Sequence, residues 1–411
     1  MESTKNVGYY CWAGPGTIRM IKEKFFNPKI NESDLMNSYS YDYLAQIKDV
    51  FNVTDFWATY SWGFNESVEQ EDYDFFLQNL KNFQKAGIKV HAYIQGPNVV
   101  YNNFKNKDWY AKDHKNRDIA YYRGRKVTCL NNSEFQNHIL QKIHSLKDTG
   151  IDGIYIDNIQ NGQMGIPLTH NGLPFVFSGC NCVTCQSKFK QFSGKSIPTD
   201  FEQDVEITKS FLDFRVKSTT AFVKILANAA HENNLQFGTN SFDPKYNTQT
   251  VFGTELSSLQ EIQDYLLFET HALRDATSIE KITSVADASQ KPTFVISYKH
   301  GIGYDPELTQ EDVNHIYAVA EEHKFSPALK GSEFTTKNIW HNLDPRKFKT
   351  PQVVKRVGTA IKNQIVKKTL TEVNSKIMRN FLKETVNPAY TLFMENGFIR
   401  NSFGWAYRSF I

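Results

Sequence analysis

Four of the five cysteines in this 411-residue chain fall in two short stretches. Cys129 sits in "VTCLNNSEFQNHI", and Cys180, Cys182 and Cys185 form a C-x-C-x2-C pattern in "SGCNCVTCQSKF". Thiols this close suit a soft metal in tetrahedral coordination, of which Zn²⁺ is the commonest. Three ligands leave a fourth place. Cys129 is the natural candidate and His170 the alternative. An all-cysteine set has no open coordination position, so its role is structural. Between the two groups lies "IDGIYIDN", an apolar run closing on Asp157, and "DYLLFETHA" later carries Glu269 at the end of a second such run. An acid at the end of an apolar strand is costly unless it is paired. For Glu269 the partner would be Lys299 or Arg274. Otherwise the two acids are available for proton transfer and nucleophilic attack.

Something must bring such residues together, and the chain has a regular rhythm of short apolar runs and helical patterns. Strands are expected over Asn6–Trp12, Val53–Phe64, Ile88–Gly96, Ile151–Asn158, Leu235–Phe242, Asp264–Ala272, Lys291–Gly301 and Phe325–Phe334. Amphipathic stretches separate them. "YDFFLQNLKNFQKAG" closes on a capping glycine, Gly87, and "SEFQNHILQKIHSLKDTG" opens on Ser133 as N-cap and closes on Gly150. The segment 97–128 reads as a long irregular loop, and 201–234 as one long helix or two. Eight strand–helix units in series predict a (β/α)8 TIM barrel over residues 1–350, with a Cys-rich insertion after strand four. The rival, an open doubly wound sheet, carries a glycine-rich turn after its first strand. "WAGPGTIRM" offers only Gly14 and Gly16. Residues 351–411, helical and then aromatic, are expected to pack on the barrel as an extension or to form a contact between copies.

The cysteine pattern and the fourth strand together resemble the barrel glycoside hydrolases. "CLNNSEFQNHI", "GIDGIYIDNIQ" and "CNCVTCQSKF" are similar to the thermophilic β-galactosidases of glycoside hydrolase family 42, where a cysteine before a helix and a C-x-C-x2-C cluster after strand four bind zinc. That family ends strand four in Asn-Glu, with the Glu as general acid. Here Asn158 is followed by Ile159, and "VISYKHG" lacks the second carboxylate expected on strand seven. The β-galactosidase acids therefore do not carry over. An Asp ending strand four instead resembles α-galactosidase and α-fucosidase barrels, in which that Asp is the nucleophile. The resemblance covers Cys129 to Phe189 clearly and the rest only as barrel rhythm.

Barrel active sites lie at the C-terminal strand ends. Alternation puts Gly153, Tyr155 and Asp157 on one face of strand four, and Leu267 and Glu269 on one face of strand six. Glycoside hydrolysis needs two carboxylates, one to attack or activate water and one to protonate the leaving oxygen. Asp157 is expected as nucleophile and Glu269 as acid/base. Glu333, ending strand eight, is the alternative acid and otherwise a binding group; Glu255 falls on a loop. Substrate-binding groups are expected from the other strand ends: Trp12, Tyr60 and Trp62 for ring stacking, then His91, Tyr93 and Gln95, Asn240, Tyr298 and Lys299.

Composition narrows the partners. A formal net charge of +3 with no long basic run gives no nucleic-acid footprint, and no run reaches the ~20 apolar residues of a membrane span. "MESTKNVGYYCW" shows no apolar signal core, and unevenly placed cysteines do not form a disulfide framework, so a cytoplasmic setting is expected. The 31 Phe and 20 Tyr fit either a Phe-rich core or a ring-stacking ligand. The expected partner is an oligosaccharide or glycoside, with a structural zinc and no organic cofactor. A non-catalytic carbohydrate-binding barrel is the second reading. A metal-dependent hydrolase would need an H-x-H on strand one, and "GYYCW" has none.

Overall fold

The eight expected strands pair in parallel and close on themselves. In chain order they are β1 (Gly8–Cys11), β2 (Asp55–Ser61), β3 (Lys89–Gln95), β4 (Gly153–Asp157), β5 (Gln236–Ser241), β6 (Leu266–His271), β7 (Thr293–Tyr298) and β8 (Ser326–Lys330). Each pairs with the next in sequence, and β1 closes on β8. The closed barrel confirms the (β/α)8 expectation and excludes the open sheet. The computed structural model of the chain describes residues 6–24, 32–122, 124–162, 169–170, 173–174, 179–198, 205–244, 247–271, 276–298 and 310–330. The expected C-terminal extension, 351–411, lies outside the described residues.

The helices are α1 (Gly14–Lys24), α2 (Glu32–Asn37), α3 (Tyr41–Phe51), α4 (Glu66–Ala86), α5 (Ser133–His144), α6 (Val183–Ser193), α7 (Val205–Glu232), α8 (Thr248–Val251), α9 (Leu256–Ile262), α10 (Ala276–Ser289) and α11 (Gln310–Glu322). Two local expectations are corrected. The N-cap of α5 is Asn132, whose side chain accepts from Phe135 N–H, and Ser133 is the first helical residue. The helix also ends at Ser145, short of Gly150. The long stretch before β5 is one helix over its described residues.

Strand alternation sorts the side chains into two layers. Phe56, Ala58, Val90, Ala92, Ile154, Ile156 and Phe237 face outward, where they pack with Phe76, Leu80 and Phe83 of α4, Phe135, Ile139 and Ile143 of α5, and Phe222 and Leu226 of α7. The interior takes Tyr10, Trp57, Tyr93, Tyr155, Tyr265, Leu267, Phe294 and Ile296. Large rings fit there because neighbouring strands carry glycine. A Cβ at Gly8, Gly153 or Gly238 would come within 2.5 Å of Trp57, His91 or Tyr265 respectively.

The loop after β3 is more ordered than its sequence suggests. Asn98–Val100, Arg125–Val127 and Ala120–Tyr122 form a three-stranded antiparallel sheet with Arg125–Val127 in the middle. Strands of three residues have too little periodicity to be seen in a sequence.

Candidate active site

β4 ends with Asp157, the last of the inward set Gly153, Tyr155 and Asp157. Its carboxylate is buried, and its Oδ2 accepts hydrogen bonds from Tyr93 Oη and Asn158 Nδ2, both at 2.7 Å. The Asp157 backbone is pinned from β3. Gly96 N–H donates to Asp157 O at 3.0 Å, and a Cβ at Gly96 would lie 2.2 Å from that oxygen. Only glycine allows so close an approach. Asn158 follows with φ 58, a left-handed conformation that asparagine tolerates. Its Oδ1 accepts from the Tyr121 hydroxyl. Asn240, expected to bind substrate from the end of β5, accepts from Ile159 N–H at 2.8 Å through its Oδ1 and so anchors the chain leaving β4.

Glu269 lies on the same face of β6 as the interior residue Leu267, while Leu266 and Phe268 pack toward the helices. It is half-buried. Both acids act by their charge on one group of buried phenols. Tyr10 packs edge-on against Tyr155 and Tyr93, each with centroids 6.0 Å apart. Burial first, then the negative charges of Asp157 and Glu269, push the Tyr10 phenol well above its ordinary range. Tyr155 is raised by burial, by Asp157 and Tyr10, and by Glu269. Tyr93 is raised by burial and Asp157. These phenols keep their protons, so Tyr93 acts as a donor to Asp157. The part played by Tyr10 was not foreseen, and the only sequence signal for Tyr155 is its place two residues before Asp157.

The other expected site residues divide. Trp12 and Trp62 meet edge to face at 5.0 Å, with Trp62 5.0 Å from Tyr93. Gln95 pairs in register with Asp157, and its Oε1 lies 3.4 Å from Tyr93 Oη. Tyr60 and His91 stand apart. Tyr60 points outward, stacks on Tyr73 of α4 at 4.6 Å and bonds Ser145 Oγ at 2.9 Å. His91 does point inward, but near the N-terminal end of β3. There it stacks on Trp57 and meets Asp55 at 3.2 Å, forming part of the barrel floor. Lys299 and Glu333 lie outside the described residues, as do the side chain of Tyr298 and the residue Arg274.

A buried carboxylate builds the wall that holds Trp62. Glu69 of α4 accepts from Trp62 N–H at 2.7 Å, Phe64 N–H at 3.0 Å, Tyr73 Oη at 2.8 Å and Lys142 Nζ at 2.5 Å. Burial opposes its ionisation, but the Lys142 ammonium and these donors outweigh burial and hold its pKa below the usual carboxylate value. Trp62 Nε1 also donates to Thr17 Oγ1 at 3.1 Å.

One turn along α4, Asp72 meets Arg19 at 2.9 Å. Burial raises its pKa to about 7; Arg19 offsets this only in part, and Glu69 and Glu71 add to it. An unfolded Asp loses its proton near pH 4. Between about pH 4 and 7 the folded chain therefore binds the extra proton, and stability falls as pH rises, levelling off above 7. The slope is expected to amount to at most roughly 4 kcal/mol across that window. Urea unfolding at stepped pH should show it in the wild type and not in Asp72→Asn.

The four cysteines converge. Their sulfurs all lie within 4.8 Å of one another, with Cys129–Cys185 at 3.4 Å and Cys129–Cys182 at 3.5 Å. A tetrahedron with Zn–S bonds of about 2.3 Å has edges of roughly 3.8 Å, so the set fits a metal of that kind. Cys129 is the fourth thiol of this cluster. The side chain of the alternative, His170, lies outside the described residues. Ile119, Val127, Phe189, Phe211 and Phe214 surround the thiols. Asn131 Nδ2 lies 3.4 Å from Cys185 Sγ, in position to orient it. Asn181 N–H donates to Lys112 O at 2.7 Å, which ties the cysteine-rich segment to the loop after β3.

No family model and no curated protein matches the chain. Solved structures match in fold. The glycoside hydrolase domain of PgaB (BpsB) from Bordetella bronchiseptica aligns with a TM-score of 0.55 at 9% identity, covering 80% of this chain and 95% of that one. The β-galactosidase from the psychrophilic Marinomonas ef1 gives 0.55 at 9% identity over 86% of this chain and 60% of that one. The β-galactosidase of the haloarchaeon Halorubrum lacusprofundi gives 0.54 at 10% identity, with 79% and 52% covered. The chain thus spans little more than half of either β-galactosidase. Identities this low show the fold alone.

Proposed function

We propose that the chain is a glycoside hydrolase acting on an oligosaccharide or glycoside, with Asp157 as nucleophile and Glu269 as general acid/base. The observation that carries this reading is that Asp157 and Glu269 stand on the inward faces of β4 and β6, toward the C-terminal ends of these strands, and that the charges of both raise the same two buried phenols, Tyr10 and Tyr155. The fold neighbours named as a glycoside hydrolase domain and as β-galactosidases support it.

In the first step an Asp157 carboxylate oxygen attacks the anomeric carbon as the glycosidic C–O bond breaks, and the Glu269 carboxyl gives its proton to the departing oxygen. In the second, the Glu269 carboxylate takes a proton from water, whose oxygen displaces Asp157 and restores both acids. Configuration at the anomeric carbon is retained. Tyr93 and Asn158 hold Asp157 by Oδ2, and the buried rings of Trp12 and Trp62 pack beside Tyr93 and hold it in place. Cys129, Cys180, Cys182 and Cys185 hold a structural zinc, which supplies a cross-link between the two loop segments.

Aryl glycosides and oligosaccharides assayed with wild type, Asp157→Asn and Glu269→Gln test the pair; equal activity in all three rejects it. Elemental analysis is expected to find one zinc per chain, lost in Cys182→Ser. A folded, metal-free wild type would remove the zinc assignment.

A further inference from the structure

A continuous path of contacts runs from the thiol cluster to Asp157. Tyr121 lies on the edge strand of the three-stranded sheet after β3, and Cys129 follows its middle strand by two residues. Val127 N–H donates to Ile119 O at 2.9 Å, and both side chains pack with Cys129, Cys180 and Cys185. The Tyr121 ring is partly buried against the same group. Its hydroxyl reaches out of that group to Asn158 Oδ1, and Asn158 Nδ2 in turn donates to Asp157 Oδ2 at 2.7 Å.

Chemistry fixes which way round the Asn158 amide sits. A carboxylate only accepts, so the amide must present its NH₂ to Asp157 and its oxygen to Tyr121, where a phenol can donate. Without the phenol, the amide oxygen loses the partner on that side. Asp157 therefore takes a hydrogen bond from Tyr93 on the barrel wall and another from Asn158, whose position is braced from the loop sheet. The cysteines fasten that sheet to the segment after β4.

We propose that Tyr121 is a positioning residue for Asp157, and that the cysteine clasp influences the reaction through it. The clasp holds the loop sheet, the sheet holds the Tyr121 hydroxyl on Asn158, and Asn158 holds the carboxylate. The kinetic part of this inference rests on the glycosidase reading; the positional part does not.

The test is a double-mutant cycle with Tyr121→Phe, which removes one hydroxyl, and Cys182→Ser, which opens the clasp. On an aryl glycoside turned over by the wild type, each is expected to lower kcat by roughly ten- to hundredfold. KM should stay within about twofold. The double variant should lose little more than either single one, because both act on the same path. Tyr121→Phe should keep its full metal content. A crystal structure of Tyr121→Phe should show the Asn158 amide displaced and the Asp157 carboxylate shifted with it relative to the Tyr93 hydroxyl. Wild-type kcat in Tyr121→Phe, additive losses in the double variant, or an unmoved Asp157 in that crystal structure would each overturn the proposal. If no glycoside is turned over by the wild type, the glycosidase reading fails, and the crystal structure alone decides the positional link. If Cys182→Ser does not fold, Tyr121→Phe decides by its kcat and its structure.

Discussion

Asp157→Asn is expected to lower aryl-glycoside turnover on the order of 10³-fold or more, with the melting temperature nearly unchanged. Both hydrogen bonds from Tyr93 and Asn158 fall on Oδ2. An asparagine oxygen in that place accepts both, so the side chain stays where it is and only the nucleophile is lost. Glu269→Gln should behave differently. A nitrophenolate leaves without a proton, so cleavage of the aryl glycoside bond is little affected. An oligosaccharide needs the proton and should lose about 10²- to 10⁴-fold. Equal losses of kcat/KM, which reports the bond-cleaving step alone, on both substrates in Glu269→Gln would remove Glu269 from the acid role. Glu333 would then be the next candidate.

Gly96→Ala is expected to lower stability and turnover together. The added Cβ would stand 2.2 Å from the Asp157 carbonyl oxygen, and that oxygen belongs to a strand in the middle of a closed sheet. Neither side can give way cheaply, and the Gly96 N–H bond to Asp157 O, 3.0 Å long, would have to open. Overpacking of this kind costs about 1–3 kcal/mol. A shift of roughly an ångström at the carboxylate would also lower turnover about hundredfold. Thermal melting and kinetics on one preparation check both. Wild-type values for each would mean that β3 and β4 do not meet this closely at their ends.

The barrel was legible in the sequence because most of its strands are apolar runs of four to seven residues bounded by turn residues, and alternation within a straight strand reads directly. Asp157 and Glu269 were placed on inward faces by that alternation. Tyr60 and Trp62 were expected together simply as aromatics at a strand end, and alternation does not hold between them. They share parity, but the register of β2 shifts between Thr59 and Ser61, so Tyr60 stays on the helix side while Trp62 joins the interior. At His91 the face was right and the level wrong, because inwardness does not say whether a residue sits in the floor or at the mouth. The partners that hold Asp157 were not legible at all. Tyr93 lies 64 residues away and Tyr121 is 37 from Asn158, and nothing local to either marks the contact. Glu69 likewise reads as one more acid on a charged helix face until the fold buries it against Lys142.

The central claim is that Asp157 bonds covalently to sugar. A 2-deoxy-2-fluoro glycosyl fluoride of whichever sugar the wild type cleaves slows the second step more than the first, so the intermediate accumulates. Digestion and mass spectrometry should then find the sugar on the peptide containing Asp157, and no label in Asp157→Asn. A label on any other carboxylate, or an enzyme that turns over its glycoside with inversion and takes no label, would contradict the account.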